Sequence, residues 1–158
     1  MELLPNEITN IIKEFTIFKP KIKEELQEAV DLWCENKNVA LKKYGNISNW
    51  NTSLITDMSR LFIQKRYFND NINNWDVSSV TNMEYLFWQA TSFNQPLGSW
   101  DVSKVTNMKG MFLATSSFNQ PLSSWDVSSV IDMDNMFDPI KSFDKNNAPW
   151  YFNTPNSI

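Results

Sequence analysis

The sequence predicts an α/β fold in which about four units of 25 residues, each a short strand plus a short helix, stack into a solenoid behind an α-helical N-terminal cap. Three observations lead to this prediction. Tryptophan recurs every 25 residues, strand-like and helix-like patterns alternate within each interval, and the first 44 residues lack the repeat. A fixed period in this range is typical of stacked units that cannot bury an apolar face alone. We expect residues 1–44 to form the cap, 45–150 the repeats and 151–158 a tail.

The predicted core consists of apolar residues that keep the same period. A buried tryptophan ring removes about 150–250 Å² from water, and methionine beside phenylalanine fills irregular gaps. The alternative is a tryptophan stack that binds a ligand. The predicted core residues are Trp50, Trp75, Trp100, Trp125 and Trp150, with Met83, Met108, Phe87, Phe112, Phe93 and Phe118.

Each unit contains two different patterns. In "VTNMEYLFWQA" (80–90) the apolar residues are three and four positions apart, which predicts a short helix. Thr81 and Glu84 have the form of a capping box at its start. The rest of the unit contains proline or glycine, and "WDV" alternates apolar and polar residues as a short strand does. We therefore expect the strands of successive units to stack in parallel.

Two polar columns share the period. Because a side-chain amide both donates and accepts, we expect the first column to form a ladder onto the backbone of neighbouring units. For the second column, of aspartates, we expect turns in which each carboxylate accepts from the backbone two residues on. A calcium ladder is the alternative, but it needs several oxygen atoms per ion. The columns are Asn69, Asn94 and Asn119, and Asp76, Asp101 and Asp126.

The leader has helical periodicity. Residues 5–15 predict a first helix, Pro20 begins a second, and "KNVALKKYG" predicts a third that ends at Gly45. We expect these helices to cover the first repeat. The apolar stripe of the second helix is Ile22, Leu26, Ala29, Val30 and Trp33.

The first of these segments, "LLPNEITNIIKEF", also resembles the opening of an F-box, a helical module that docks on a ubiquitin-ligase adaptor. The resemblance lies in Leu4, Pro5, Glu7 and Ile8. It implies a leader that recruits the adaptor and repeats that recognise a target.

The composition argues against most other classes. The chain has no histidine and three glycines, so it lacks the commonest general base and a glycine-rich phosphate loop. Its single cysteine, Cys34, forms no internal disulfide, and we expect no enzyme activity, cofactor or metal. A net charge of −4 argues against nucleic acid. The absence of a long apolar run or a signal peptide predicts an intracellular, cytoplasmic protein without membrane contact.

The positions that vary between units are the predicted partner surface. They flank the predicted helical face, so we expect them to point outward. Tryptophan, tyrosine and arginine are the residues that interface hot spots favour. The alternative for the tryptophan is simple packing against a neighbouring helix or the leader. The candidate residues are Arg60, Tyr85, Trp88 and Lys109.

The segment "FNQPLSSWDVSSVIDMDNMF" resembles the 25-residue repeat of BspA-like surface proteins and mycoplasma lipoproteins, also called the PARCEL repeat. The leader from "LQEAVDLWC" onward is similar to the lead-in found ahead of such repeats in protists and large DNA viruses. The resemblance implies a leucine-rich-repeat-like α/β solenoid that acts as an interaction surface, without catalytic residues.

Together these observations predict a non-enzymatic protein–protein interaction module. An F-box-like adaptor is one alternative, and a structural building block, for example of a virion, is another; a viral protein would act in the host cytoplasm. We expect a monomer or small oligomer. The sequence identifies neither the partner nor the process.

Overall fold

The computed structural model describes residue 2, residues 4–7 and residues 17–153. Within these residues the α-helices are α1 (Lys23–Glu35), α2 (Lys37–Tyr44) and the short α3 (Pro149–Phe152). Two 3₁₀ turns, Ile47–Asn49 and Lys145–Asn147, lie at the two ends of the repeat region. Most of the helix predicted for residues 5–15 falls outside the described residues.

The second and third helices of the leader are where their sequence patterns place them. α1 buries four of the five predicted stripe residues, but Ile22 precedes the helix and is 53% exposed. α2 ends at Gly45, whose φ of 73° is the left-handed conformation that glycine adopts without strain. The buried stripe residues are Leu26, Ala29, Val30 and Trp33.

The predicted strand-plus-helix solenoid is wrong. Residues 80–90 form successive turns, because Tyr85 and Gln89 have φ values of 53° and 58°, whereas an α-helix needs about −63°. Thr81 and Glu84 form no capping box, since the Glu84 N–H instead bonds the Asn82 side chain at 3.1 Å. In the described part of the chain, β structure consists of isolated parallel bridges, and "WDV" forms no strand. The bridges join Asp57 to Asn82, Asn82 to Asn107, and Asn107 to Asp132.

A ladder of backbone hydrogen bonds joins the units instead. The N–H groups of Arg60 and Phe62 donate to the carbonyls of Glu84 and Leu86 in the next unit, both at 2.9 Å. The N–H of Ile63 turns back to the carbonyl of Arg60 at 3.1 Å. Alternate N–H groups therefore bond the neighbouring unit and a turn, which satisfies the backbone without a helix or a sheet. The same alternation recurs in residues 83–90 and 108–115.

The tryptophan column links the units a second time. Four indole N–H groups each donate to a carbonyl 28 residues earlier, in the preceding unit, at 2.8–3.1 Å. Trp50 has no unit before it and donates to the carbonyl of Gly45 at 3.3 Å. The other pairs are Trp75 to Ile47, Trp100 to Ile72, Trp125 to Leu97 and Trp150 to Leu122. The first four tryptophans are at most 4% exposed, and Trp150 is half-buried.

Two parallel stacks of phenylalanine rings fill the core beside the tryptophans. Phe87 lies 5.3 Å from Phe62 and 5.5 Å from Phe112, with nearly parallel planes. The second stack adjoins the first, since the Phe87 and Phe93 ring centroids are 4.1 Å apart. The stacks are Phe62, Phe87, Phe112 and Phe137, and Phe68, Phe93, Phe118 and Phe143. Met83 and Met108 are fully buried.

The asparagine column forms the predicted ladder. The Asn69 side-chain oxygen accepts from the Asn94 backbone N–H at 2.9 Å, and the Asn94 oxygen accepts from Asn119 at 3.0 Å. Asn119 accepts from the N–H of Asp144 at 2.8 Å. Each amide therefore fixes the height of the next unit.

Different elements pack on the two ends of the stack. On the first unit, the α1 residue Trp33 packs edge-on against Trp50 at 5.8 Å and donates to Asp70 at 2.9 Å. On the last unit, Tyr151 and Phe152 of α3 pack on Phe137 at 5.1 and 5.7 Å. The sequence assigned Tyr151 and Phe152 to the tail, yet in the structure they cover the end of the phenylalanine stacks.

A pair of glycine substitutions distinguishes turns from a helix. Ala114 has a φ of 56°, so Ala114→Gly should leave the free energy of unfolding unchanged or raise it by up to about 1 kcal/mol. In a helix the same change would cost about 1 kcal/mol. The control is Ala90→Gly, at a buried residue with ordinary φ, which should lose about 0.5–1 kcal/mol or more. Urea unfolding measures both, and equal losses would contradict the turn architecture.

Candidate protein-interaction surface

Three of the four predicted surface residues lie together on the turn ladder. The side chain of Arg60 is 58% exposed, and Tyr85 and Trp88 are half-buried. We call the group Arg60, Glu84, Tyr85 and Trp88 the aromatic patch. It spans the first two units and combines a cation, a carboxylate and two rings.

The aromatic patch is held by contacts among its own members. The Arg60 guanidinium lies over the Tyr85 ring, 5.6 Å from its centroid, and its Nη2 is 3.5 Å from Glu84 Oε2. The Tyr85 and Trp88 rings are 5.4 Å apart and tilted by 47°. The rings therefore meet at an angle and are partly withdrawn from water before any partner arrives.

Gly110 supports the aromatic patch from the next unit. It occupies the position equivalent to Arg60 and Tyr85 and has a φ of 56°. A Cβ atom at Gly110 would overlap the Cδ1 and Cε1 atoms of Tyr85, because the ring lies over the glycine. Sequence reasoning missed this role, although glycine within a column that otherwise carries long side chains was the available signal.

Lys109 does not join the aromatic patch. Its carbonyl accepts from the Tyr85 N–H at 2.9 Å, but its ammonium group lies 3.9 Å from the carboxylate of Asp132. The side chain thus points towards the last unit.

The predicted F-box residues are only partly described. Leu4 is 66% exposed, and its N–H donates to the Glu7 carboxylate at 2.9 Å. Pro5 is exposed, and Ile8 lies outside the described residues. These contacts form a local turn and bring no other functional group to the leader.

The aspartate column forms the expected turns. Asp76 accepts from the Ser78 backbone N–H at 3.0 Å and from its hydroxyl at 2.7 Å, and Asp101 and Asp126 accept from the N–H two residues on at 3.1 and 3.0 Å. Hydroxyl donation, followed by N–H donation, lowers the pKa of all three carboxyl groups. Within residues 2, 4–7 and 17–153, no cluster of three or more acidic or cysteine side chains could hold a metal ion.

A second column of such turns was missed by the sequence analysis. The side-chain oxygen of each member accepts from the backbone N–H two residues later, at 2.7–3.1 Å. The same residues form the isolated bridges. Asparagine or aspartate before each column methionine was the overlooked signal. The column is Asp57, Asn82, Asn107 and Asp132.

A groove of about 380 Å³ lies between the end of α1 and the first unit. Its floor includes Trp33 and Phe68, and the Lys37–Asp70 ion pair, at 2.5 Å, lies on its wall. Cys34 lies at its edge, and burial raises the pKa of the thiol to about 11. The thiol is therefore protonated at neutral pH, which disfavours a nucleophilic role.

Comparison with known proteins identifies a family but no closer relative. A family model described as "Mycoplasma protein of unknown function, DUF285" matches residues 31–150. No curated protein and no solved structure matches the chain. None of the helices in the described residues is both long and apolar enough to span a bilayer.

The aspartate turns should make part of the stability depend on pH. Because the folded pKa of Asp76 lies below its unfolded value of about 3.9, its contribution is complete above pH ~4 and is lost as the pH falls through the lowered pKa. Ser78→Ala should therefore lower the melting temperature at pH 7 and have less effect at pH 2. Ser79→Ala, next to it, is the control. Equal effects of Ser78→Ala at both pH values would contradict the assignment.

Gly110→Ala tests the support beneath Tyr85. The substitution should cost about 1–2 kcal/mol for the positive φ and about 1–3 kcal/mol for overlap with the ring. In a Tyr85→Ala background the overlap cost should vanish, which a double-mutant cycle measures by chemical unfolding. Gly98→Ala is the control, because the nearest atom to its added Cβ is 3.7 Å away. An additive cycle would show that the ring does not rest on Gly110.

Proposed function

Since the chain belongs to the family of Mycoplasma proteins of unknown function, DUF285, we propose that it is a non-enzymatic protein–protein interaction module of the BspA-like, or PARCEL, repeat type. The observation that carries the proposal is the contact of Arg60 with Tyr85 and of Tyr85 with Trp88 on the outer side of the ladder.

The physical properties of the aromatic patch support a role in binding. Large rings with few rotatable bonds lose little conformational entropy when a partner covers them. Here the cation and the carboxylate also fix the rings in advance, because Arg60 contacts both Tyr85 and Glu84. Such preorganisation lowers the cost of association.

The position of the aromatic patch gives a second argument. The buried tryptophan and phenylalanine columns hold the units together, so the fold restricts those residues in every unit. The outward positions carry no such restriction. Arg60, Tyr85, Gly110 and Asn135 occupy one column with the same sign of φ and four different side chains. Differences at this column change what a partner meets and leave the core intact.

The other predicted roles stay predictions. An F-box-like leader and a structural building block are compatible with the sequence, but no contact among the described residues favours either. The intracellular location likewise stays a prediction.

Trp88→Ala is the variant that tests the aromatic patch. Immobilised wild-type protein is used to capture a partner from lysate, the partner is identified and purified, and its affinity for each variant is measured. We expect Trp88→Ala to weaken binding by about 2 kcal/mol or more, as hot-spot residues do. The control is Tyr67→Ala, which removes an aromatic side chain that is 92% exposed and outside the patch.

The same variants separate binding from folding. If Trp88→Ala lowers the free energy of unfolding by about 3–5 kcal/mol, as the loss of a core tryptophan does, the residue is core and the proposal fails. It also fails if the variant binds the partner as tightly as wild type. Loss of the partner on Leu4→Ala alone would favour a recruiting leader.

A further inference from the structure

The hydrogen-bond ladder between the units has a direction. In every described unit the unpaired half of the N–H groups points to the following unit, and the carbonyls that accept them belong to that unit. Met83 and Tyr85 donate to Asn107 and Lys109, and Met108 donates to Asp132, at 2.7–2.9 Å. The first end of the stack therefore presents acceptors and the last end presents donors.

The acceptor end is covered by the leader. The side chain of Gln27 in α1 donates to the carbonyl of Leu61 at 3.1 Å, which is the acceptor position that Leu86 has in the next unit. Lys23 of the same helix bonds Ser59 and lies 3.2 Å from Asp57. α1 thus occupies the place of a preceding unit.

The donor end is open by comparison. Among the described residues, none accepts a hydrogen bond from the backbone N–H groups of Met133, Asn135 or Phe137, whose equivalents in the preceding unit, Met108, Gly110 and Phe112, all donate across the ladder. The next donor position is Pro139, which has no N–H. α3 covers the ring of Phe137 through Tyr151 and leaves Asn135 exposed. The edge therefore presents a donor row that ends at a proline.

Carboxylates border this donor row. Asp134 and Asp138 are exposed, and Asp132 has only a distant partner in Lys109, at 3.9 Å. Outward side chains of this column lean towards the following unit, as Tyr85 leans over Gly110. The carboxylates of the last unit are thus placed to meet positive charge arriving at the edge.

We propose that the donor edge formed by Met133, Asn135 and Phe137 binds a basic, glycine-containing segment of another protein, which pairs with it as a further unit would. Backbone carbonyls of that segment accept from the donor row, and its lysine or arginine side chains pair with the aspartates. Addition of a segment to an open backbone edge is a recurring mode of peptide recognition.

The ladder also sets the shape of the segment. Within each unit the chain has positive φ at two positions four residues apart, as at Tyr85 and Gln89 or at Gly110 and Ala114. Glycine adopts this conformation without strain. A segment with glycine at every fourth residue therefore matches the edge at the least conformational cost.

A second copy of the chain is a poorer fit. Two donor edges placed together bring N–H groups against N–H groups and aspartates against aspartates. The complementary acceptor end is occupied by α1, through Gln27. The occupant is therefore a different protein.

Amide hydrogen exchange followed by NMR tests the proposal on the full chain. The probe is a 12-residue peptide of lysine and threonine with glycine at every fourth position, and the same peptide with glutamate for lysine is its counterpart. In the free protein we expect the amides of Met133 and Asn135 to exchange at least about tenfold faster than those of Met108 and Gly110. The basic peptide should slow the first pair by at least about tenfold and leave the second pair unchanged.

Charge variants complete the test. Asp134→Lys and Asp138→Lys should each weaken binding of the basic peptide by about tenfold. Glu24→Lys makes the same change of charge on α1, at the other end of the stack, and should have no effect. Trp88→Ala should also have no effect, so that failure here is distinct from failure of the aromatic patch.

Several outcomes would overturn the proposal. Slow exchange of Met133 and Asn135 in the free protein at all concentrations would mean that the chain covers its own edge, and slowing that grows with protein concentration would mean a second copy. Absence of peptide binding, equal binding of the acidic peptide, or binding that leaves these amides unprotected would each exclude the proposed pairing.

Discussion

The hydrogen bonds from each alternate N–H to a carbonyl 24 residues later determine the rest of the structure. They fix the register of the units, so any residue type that recurs every 25 positions must lie directly against its own copy. The indole bonds, the phenylalanine stacks and the asparagine ladder are consequences of that register. Hydrophobic burial supplies most of the favourable free energy, but it has no direction and could not by itself choose one alignment over another.

The two ends of the chain show how such a stack is terminated. At the start, an amphipathic helix replaces a unit, because Trp33 covers Trp50 and a glutamine takes the place of a backbone donor. At the finish, Trp150 continues the tryptophan column at 6.2 Å from Trp125, while Tyr151 and Phe152 cover the phenylalanines. Apolar surface is covered at both ends, whereas backbone polarity is satisfied more completely at the first.

The period revealed which residues meet, and the structure corrected how the backbone brings them together. Apolar residues three and four positions apart in "VTNMEYLFWQA" fit a helix, but successive turns with bonds three residues back produce the same spacing. The difference lies in the φ of Tyr85 and Gln89, which neither residue type signals. The aromatic patch was accessible as a departure from the repeat. Its dependence on Gly110 was not, because the glycine matters through the ring of a residue 25 positions earlier.

The positive φ values carry a consequence for how this sequence is maintained. Arg60, Tyr85 and Asn135 occupy a conformation in which any residue other than glycine costs roughly 1–2 kcal/mol, largely whatever its side chain. Selection for a stable fold alone would therefore drive the whole column to glycine, as at Gly110. Side chains that persist there work against the fold that displays them, and their retention points to a use that lies outside folding.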